Sequence, residues 1–194
     1  MLFQVDMEKL ADVVHYIVHY IEAKHGSDAL GNTKLHKALY YADFLTYLRH
    51  MRPLTGCEYQ RQQFGPTARY LTLTISALAA DHRVESKLVD YFSYKKREYH
   101  SLIAPASNRL STDERELIEE VANFVCAHTA TEISEFNHDD VWSSVGMGET
   151  IPYYAAFALF PAEVTEDDIT AARADVPYIE AEKRTRSRIL LSSP

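Results

Sequence analysis

His138, Asp139 and Asp140 stand side by side and form the densest cluster of possible metal ligands in the chain. Imidazole and carboxylate groups are the ligands of hydrolytic metal centres. Three consecutive residues do not readily converge on one ion, so such a centre needs ligands from elsewhere. Helix capping and turn formation explain the same residues more simply, with Asp139 or Asp140 starting a short helix. His15 and His19 lie four apart, a spacing that can grip zinc on a helix. They sit beside Asp12 and Glu22 with no further ligand nearby, which predicts a solvated polar face. The nine histidines form no sequence-level triad with Cys57 or Cys126. Walker, GxGxxG, HExxH, CxxC and GxSxG patterns are all missing. The residues therefore make no positive case for an enzyme, a cofactor or a metal.

The elements that position these residues are mostly helical. Leu10, Val13, Val14, Ile17, Val18 and Ile21 predict an amphipathic helix over 6–25, ended by Gly26 and Ser27. A second helix is predicted from about Thr33 to His50, with Leu35, Ala38, Tyr41, Ala42 and Leu45 on its core stripe. His36, Tyr40, Asp43 and Tyr47 form another stripe on the far side. That stripe either makes the helix central, buried on both sides, or lines an aromatic groove for a partner. Cys57 to Gln63 reads as a short strand with a polar face. Gly65-Pro66 is predicted to open a helix continuing through Tyr70, Leu71, Ile75 and Leu78. Val84–Leu88 and Glu98–Ile103 form a predicted hairpin, with Lys95, Lys96 and Arg97 near its tip. Ser111 and Glu114 make a capping box before an apolar-periodic helix, and Thr129 and Glu132 can cap a shorter one. Tyr153–Phe160 reads as a short apolar helix, and "TEDDITAARA" as another. The fold class is mainly α with a small β component (α+β): a compact multi-helix domain with a short strand and a β-hairpin.

Charge is unevenly spread within a net of −8. Residues 1–100 carry 13 Lys and Arg against 11 Asp and Glu; residues 101–194 carry 7 against 17. Between Ser111 and Asp168, 14 acids face one base, Arg115. An acidic half repels nucleic acid and attracts basic protein surfaces. The start, MLFQVDMEKL, lacks the pattern of a secretory signal, and the longest apolar run is too short to span a membrane. The expectation is a cytoplasmic protein with two reduced thiols.

The stretch "TKLHKALYYADFLTYLRHMRPLTGCEYQRQQFGPTARYL" resembles the hallmark block of the Panacea domain, the SocA-like antitoxin and phage-associated family. Lys34, Leu35, Lys37, Leu39, Tyr40, Tyr41, Ala42, Pro53, Leu54, Gly65 and Pro66 carry that resemblance. The later "TATEISEFNHDDVW" is similar to the family's second block, through His138 and Trp142. His36 stands where the family often has Gln, and Met51 where a Gly is common. The resemblance implies a Panacea-like domain over 1–160, with a C-terminal helix and tail over 161–194 packed on it. It implies a non-enzymatic antitoxin that neutralises a cognate toxin by direct binding, without cofactor or metal. It also implies that the two blocks meet in space, so that the second stripe packs under them and their rim is open to a partner. The expected partner-binding residues are Tyr40, Asp43, Tyr47, Gln62, Phe64, Arg69, His138 and Asp140. Glu116 and Glu120 join them as an acidic face toward a basic toxin. Homodimerisation stays open. Two alternatives remain: a winged-helix-like DNA-binding regulator using Lys95–Arg97, and a metal-dependent hydrolase centred on His138–Asp140.

Overall fold

Asp6 accepts the N–H of Lys9 at 2.9 Å and so starts α1, Met7–His25, in the computed structural model of this chain. The structure describes residues 3–91, 94–106, 108–136 and 138–159, with isolated helical positions at 166, 169, 170, 173, 174 and 176. Met1–Phe160 forms one compact unit and Pro161–Pro194 a second. The helix expected over "TEDDITAARA" and the tail after it fall mostly outside the described residues.

The first unit is mainly α with a small β component. After α1 come α2 (Asn32–His50), α3 (Leu71–Ala80), α4 (Thr112–Ala127), α5 (Ala130–Phe136) and α6 (Asp140–Ser143). Leu10, Val13, Val14, Ile17, Val18 and Ile21 of α1 are sealed in the core with Leu35, Ala38, Leu39 and Phe44 of α2 and Ile118, Ala122 and Val125 of α4. Burying such side chains contributes about 1.5–3 kcal/mol each, which makes this three-helix contact the centre of the fold. The capping box forms as predicted: Glu114 N–H donates to Ser111 Oγ at 3.2 Å, and Ser111 N–H to Glu114 Oε2 at 2.8 Å. Thr129 and Glu132 make the same reciprocal pair at the start of α5.

Two antiparallel sheets complete the unit. β1 (Tyr59–Gln62) lies between β2 (Gly65–Ala68) and β5 (Thr150–Ile151), with Tyr59 opposite both Ala68 and Ile151. β3 (Val84–Tyr91) pairs along its length with β4 (Tyr94–Ser101). Here the structure corrects a prediction. Gly65-Pro66 opens a strand, not a helix, and α3 begins only at Leu71. Gly65 sits at φ +91°, a conformation that Gly adopts without strain, and turns the chain back onto β1. Pro66 is tolerated because β2 is an edge strand, where a missing N–H costs little. Tyr153–Leu159, predicted as a helix, is a 3-10 helix.

The polar face of α1 is a second correction. It is covered by β4 rather than solvated. His15 is buried, with its Nε2 at 3.0 Å from the carbonyl of Ile103; His19 Nδ1 lies 3.2 Å from Ser101 Oγ. Glu22 accepts the N–H of Ser101 at 2.7 Å and pairs with His100 at 3.0 Å. Asp12 holds Arg83, just before β3, at 2.7 Å. These groups are spent on fastening the hairpin to the helix. Among the described residues, no group of three His, Cys, Asp or Glu side chains is placed to hold a metal ion, and no helix is long and apolar enough to cross a membrane.

Candidate functional site

The second stripe of α2 packs against the β1–β2 hairpin and the loop before it. His36 Nδ1 accepts the N–H of Ala68 at 3.1 Å, fastening β2 to the helix. Tyr40 packs on Phe44 with the rings tilted and their centroids 4.3 Å apart, and meets Tyr59 edge-on at 5.6 Å. Asp43 accepts three hydrogen bonds of 2.6 Å each, from the N–H and hydroxyl of Thr55 and from the hydroxyl of Tyr59. Tyr47 packs on Phe3, Tyr153 and Phe157.

Tyr40, Asp43 and Tyr47 are 0%, 1% and 8% exposed. Side chains so enclosed offer no surface to a partner. Their expected place on a binding surface is corrected to a place beneath one: they shape the layer that carries the hairpin.

The hairpin then carries the rim. Its turn meets the segment leading into α6, so the two similar sequence blocks do come together. Trp142 Nε1 donates to the carbonyl of Gln62 at 3.1 Å. His138 Nε2 lies 3.2 Å from the carbonyl of Gln63, and the imidazole packs at a tilt on the Trp142 ring, with centroids 4.3 Å apart. The Arg61 guanidinium covers the same indole at 3.7 Å and donates to the carbonyl of Val145. A cation over Trp in a partly desolvated setting contributes about 1–2 kcal/mol. Asp139 caps α6 through the Trp142 N–H at 2.8 Å, the capping role its sequence position allowed. Asp140, His138, Gln62, Phe64 and Arg69 are all exposed; Phe64, at the turn, is 65% exposed. Arg69 pairs with Glu58 at 2.5 Å.

Sequence reasoning missed Lys37. It is 1% exposed, and its ammonium finds one acceptor, the carbonyl of Pro66 at 3.3 Å. Burial pulls its pKa down to about 7, partly opposed by the charge of Asp139. Burial also lowers His36 to about 4, with the charge of Lys37 acting in the same direction. The hydroxyl of Tyr40, one turn beyond Lys37, has no hydrogen-bond partner among the described residues. Lys37 stands two residues after Leu35 and one before Ala38, off their stripe; only the return of β2 over it makes it interior.

The other charged features are partly used internally. On α4, Glu114 pairs with Lys9 at 2.7 Å and Glu119 accepts the Tyr16 hydroxyl at 2.5 Å, tying α4 to α1. Glu116 and Glu120 remain exposed, with Arg49 at 3.7 Å from Glu120. Lys95, Lys96 and Arg97 lie in the first half of β4, near the hairpin tip as expected, with Lys95 opposite Asp90. Lys95 pairs with Asp90, Lys96 with Glu98 and the carbonyl of Asp28, and Arg97 with Ser86. Cations already paired are poorly placed to seek phosphates. Cys57 is buried, which pushes its thiol up to about 12 and leaves little thiolate near neutral pH.

No curated protein and no solved structure matches the chain. The family described as antitoxin SocA-like, Panacea domain, matches residues 35–143, from the first buried Leu of α2 to the end of the helix that holds Trp142. That span is more than half of the chain and contains both blocks of the junction, and the chain belongs to the SocA-like antitoxin, Panacea domain family.

Proposed function

We propose that this protein is an antitoxin that neutralises a cognate toxin, encoded beside it, by direct protein–protein binding in the cytoplasm. Membership of the SocA-like antitoxin family carries the reading. The junction of the hairpin turn with α6 supports it as the contact surface. Gln62, Phe64, His138 and Asp140 are exposed there on a base held by Trp142 and Arg61, and Arg69 is exposed at the other end of the same hairpin, beside Glu58. An exposed aromatic among polar side chains, on rigid backbone, is the composition of a binding hot spot with a polar rim. Glu116 and Glu120 on α4 supply a separate acidic face that speeds encounter with a basic toxin. Binding needs no catalysis, cofactor or metal.

The test is expression of the adjacent gene alone and together with this one. The expected result is growth arrest by the neighbour, rescue by co-expression, and co-purification of the two proteins. Gln62→Ala with Arg69→Ala should keep the fold, because the Arg69–Glu58 pair is exposed and contributes little, yet weaken rescue. A neighbour without toxicity, or full rescue without physical association, overturns the proposal.

A further inference from the structure

A cavity of about 130 Å³ lies between the first two turns of α2 and the strand β2. For comparison, about 10–15 Å³ suffices to hold one water. Its wall includes Thr33, His36, Lys37, Phe64, Pro66 and Thr67, and no acidic side chain among the described residues. Four observations on that wall point to one ligand chemistry.

Lys37 is sealed, yet it has no ion pair among the described residues; the Pro66 carbonyl, on the same wall, is its one acceptor. Burial works against its charged form and the more distant charge of Asp139 only partly offsets this, so a site that supplies an anion relieves it. His36 takes the Ala68 N–H on Nδ1, which leaves the proton of its neutral ring on Nε2 as a donor. The cavity also reaches Asn32 and Thr33, the first two residues of a 19-residue helix whose N-cap, Gly31, makes no side-chain cap. Uncapped first-turn amides at the positive end of a long helix attract anions. The hydroxyl of Thr33 adds a donor from α2, and that of Thr67 adds one from β2 by rotating off its long, 3.4 Å bond to the Gly65 carbonyl. The wall thus offers an amine that an anion would hold as ammonium, an imidazole N–H, hydroxyls and amides, arranged around a space with no acid on the wall itself.

We propose that this cavity is a binding site for a phosphate group, with Lys37 as its charge and His36, Thr67 and the first amides of α2 as its hydrogen-bond donors. Phosphate fits because its several acceptor oxygens can meet donors from α2 and β2 together. Two sources share this chemistry: inorganic phosphate and the phosphate of a nucleotide. Phe64, exposed beside the cavity, offers a ring on which a base can stack. The site does not depend on the antitoxin reading, and its test does not involve a toxin.

The full chain is titrated with sodium phosphate and separately with AMP, against sodium chloride at matched ionic strength. Calorimetry and thermal melts are the readouts, with 1H–15N spectra to follow the amides of Asn32 and Thr33. Saturable binding and stabilisation by phosphate that chloride does not reproduce, with shifts at those two amides, is the expected result. Lys37→Met should bind phosphate at least about tenfold more weakly, the scale of a lost charge-assisted hydrogen bond. That variant should fold, because it replaces a buried amine, whose charged form burial disfavours, with an apolar chain of similar length. Thr67→Val, which keeps the charge, should also weaken binding and serves if the first variant does not fold. AMP that binds more tightly than phosphate, with the advantage lost in Phe64→Ala, identifies a nucleotide as the source; equal or weaker AMP binding identifies the free ion. Chloride matching phosphate, or phosphate binding unchanged in Lys37→Met (in Thr67→Val if needed), overturns the site.

Discussion

The hydroxyl of Tyr59 on β1 donates to Oδ2 of Asp43 on α2 at 2.6 Å, inside the core. With the two bonds from Thr55, it satisfies a carboxylate that burial alone would push far toward its neutral form. Tyr59→Phe keeps the ring and removes one donor. Stability should fall by about 1.5–3 kcal/mol, the scale of a hydrogen bond to a charged group. Urea unfolding checks this; an unchanged midpoint would mean that Thr55 alone suffices.

Met51 ends α2 in the left-handed region, at φ 56° and ψ 18°, with its N–H on the Tyr47 carbonyl at 2.7 Å. A side chain in that conformation is strained, and Gly is the residue helices favour there. Met51 is also 60% exposed, so its side chain buries little. Met51→Gly should therefore stabilise the protein by up to about 1 kcal/mol, despite the greater freedom of Gly in the unfolded chain. A lower melting temperature in the variant would contradict this account of the turn.

His36 titrates near pH 4 in the folded protein instead of near 6.5. Its folded form therefore binds fewer protons than its unfolded form between those values. Stability should be lost as pH falls from about 6.5 toward about 4. Protonation would also place a hydrogen on Nδ1, where the Ala68 N–H donates. His36→Gln keeps an acceptor and removes the titration. The gap in unfolding midpoint between pH 7 and pH 5 should be smaller in the variant. Lys37, with a folded pKa of about 7, contributes only at the upper edge of this comparison and is present in both proteins, so the difference between them reports His36.

Glu116 and Glu120 stand exposed on α4, in the segment where 14 acids face one base. The proposed encounter with a basic toxin should slow as salt rises, since screening shortens the field to about 8 Å at physiological strength. Glu116→Lys with Glu120→Lys should lower the association rate more than it raises the dissociation rate. Stopped-flow or surface-binding kinetics over a salt series measures both. The fold should survive, because the Glu120–Arg49 contact is exposed at both ends. Rates indifferent to salt and to the reversal would leave α4 a solubilising surface.

What the residues alone determined lies in short stretches of chain. Ser111 with Glu114, and Thr129 with Glu132, start helices through bonds spanning three residues. The 3.6-residue period marks the buried stripes of α1, α2 and α4. The aromatic stripe of α2 left open a helix covered on both sides or a groove for a partner, and the resemblance implied that "EYQRQQF" and "HDDVW" meet. Tertiary structure alone decided which polar groups are inside. His15 is buried because Ser101 and Ile103, more than 80 residues away, return over it. Lys37 is buried because β2 folds back across α2, and β2 exists because Gly65-Pro66 turns an edge strand instead of opening a helix. Caps and periodicity act over a few bonds and can be seen in neighbouring residues. Coverage of a polar face depends on partners distant in the chain, and the Lys37 cavity exists only once they have met.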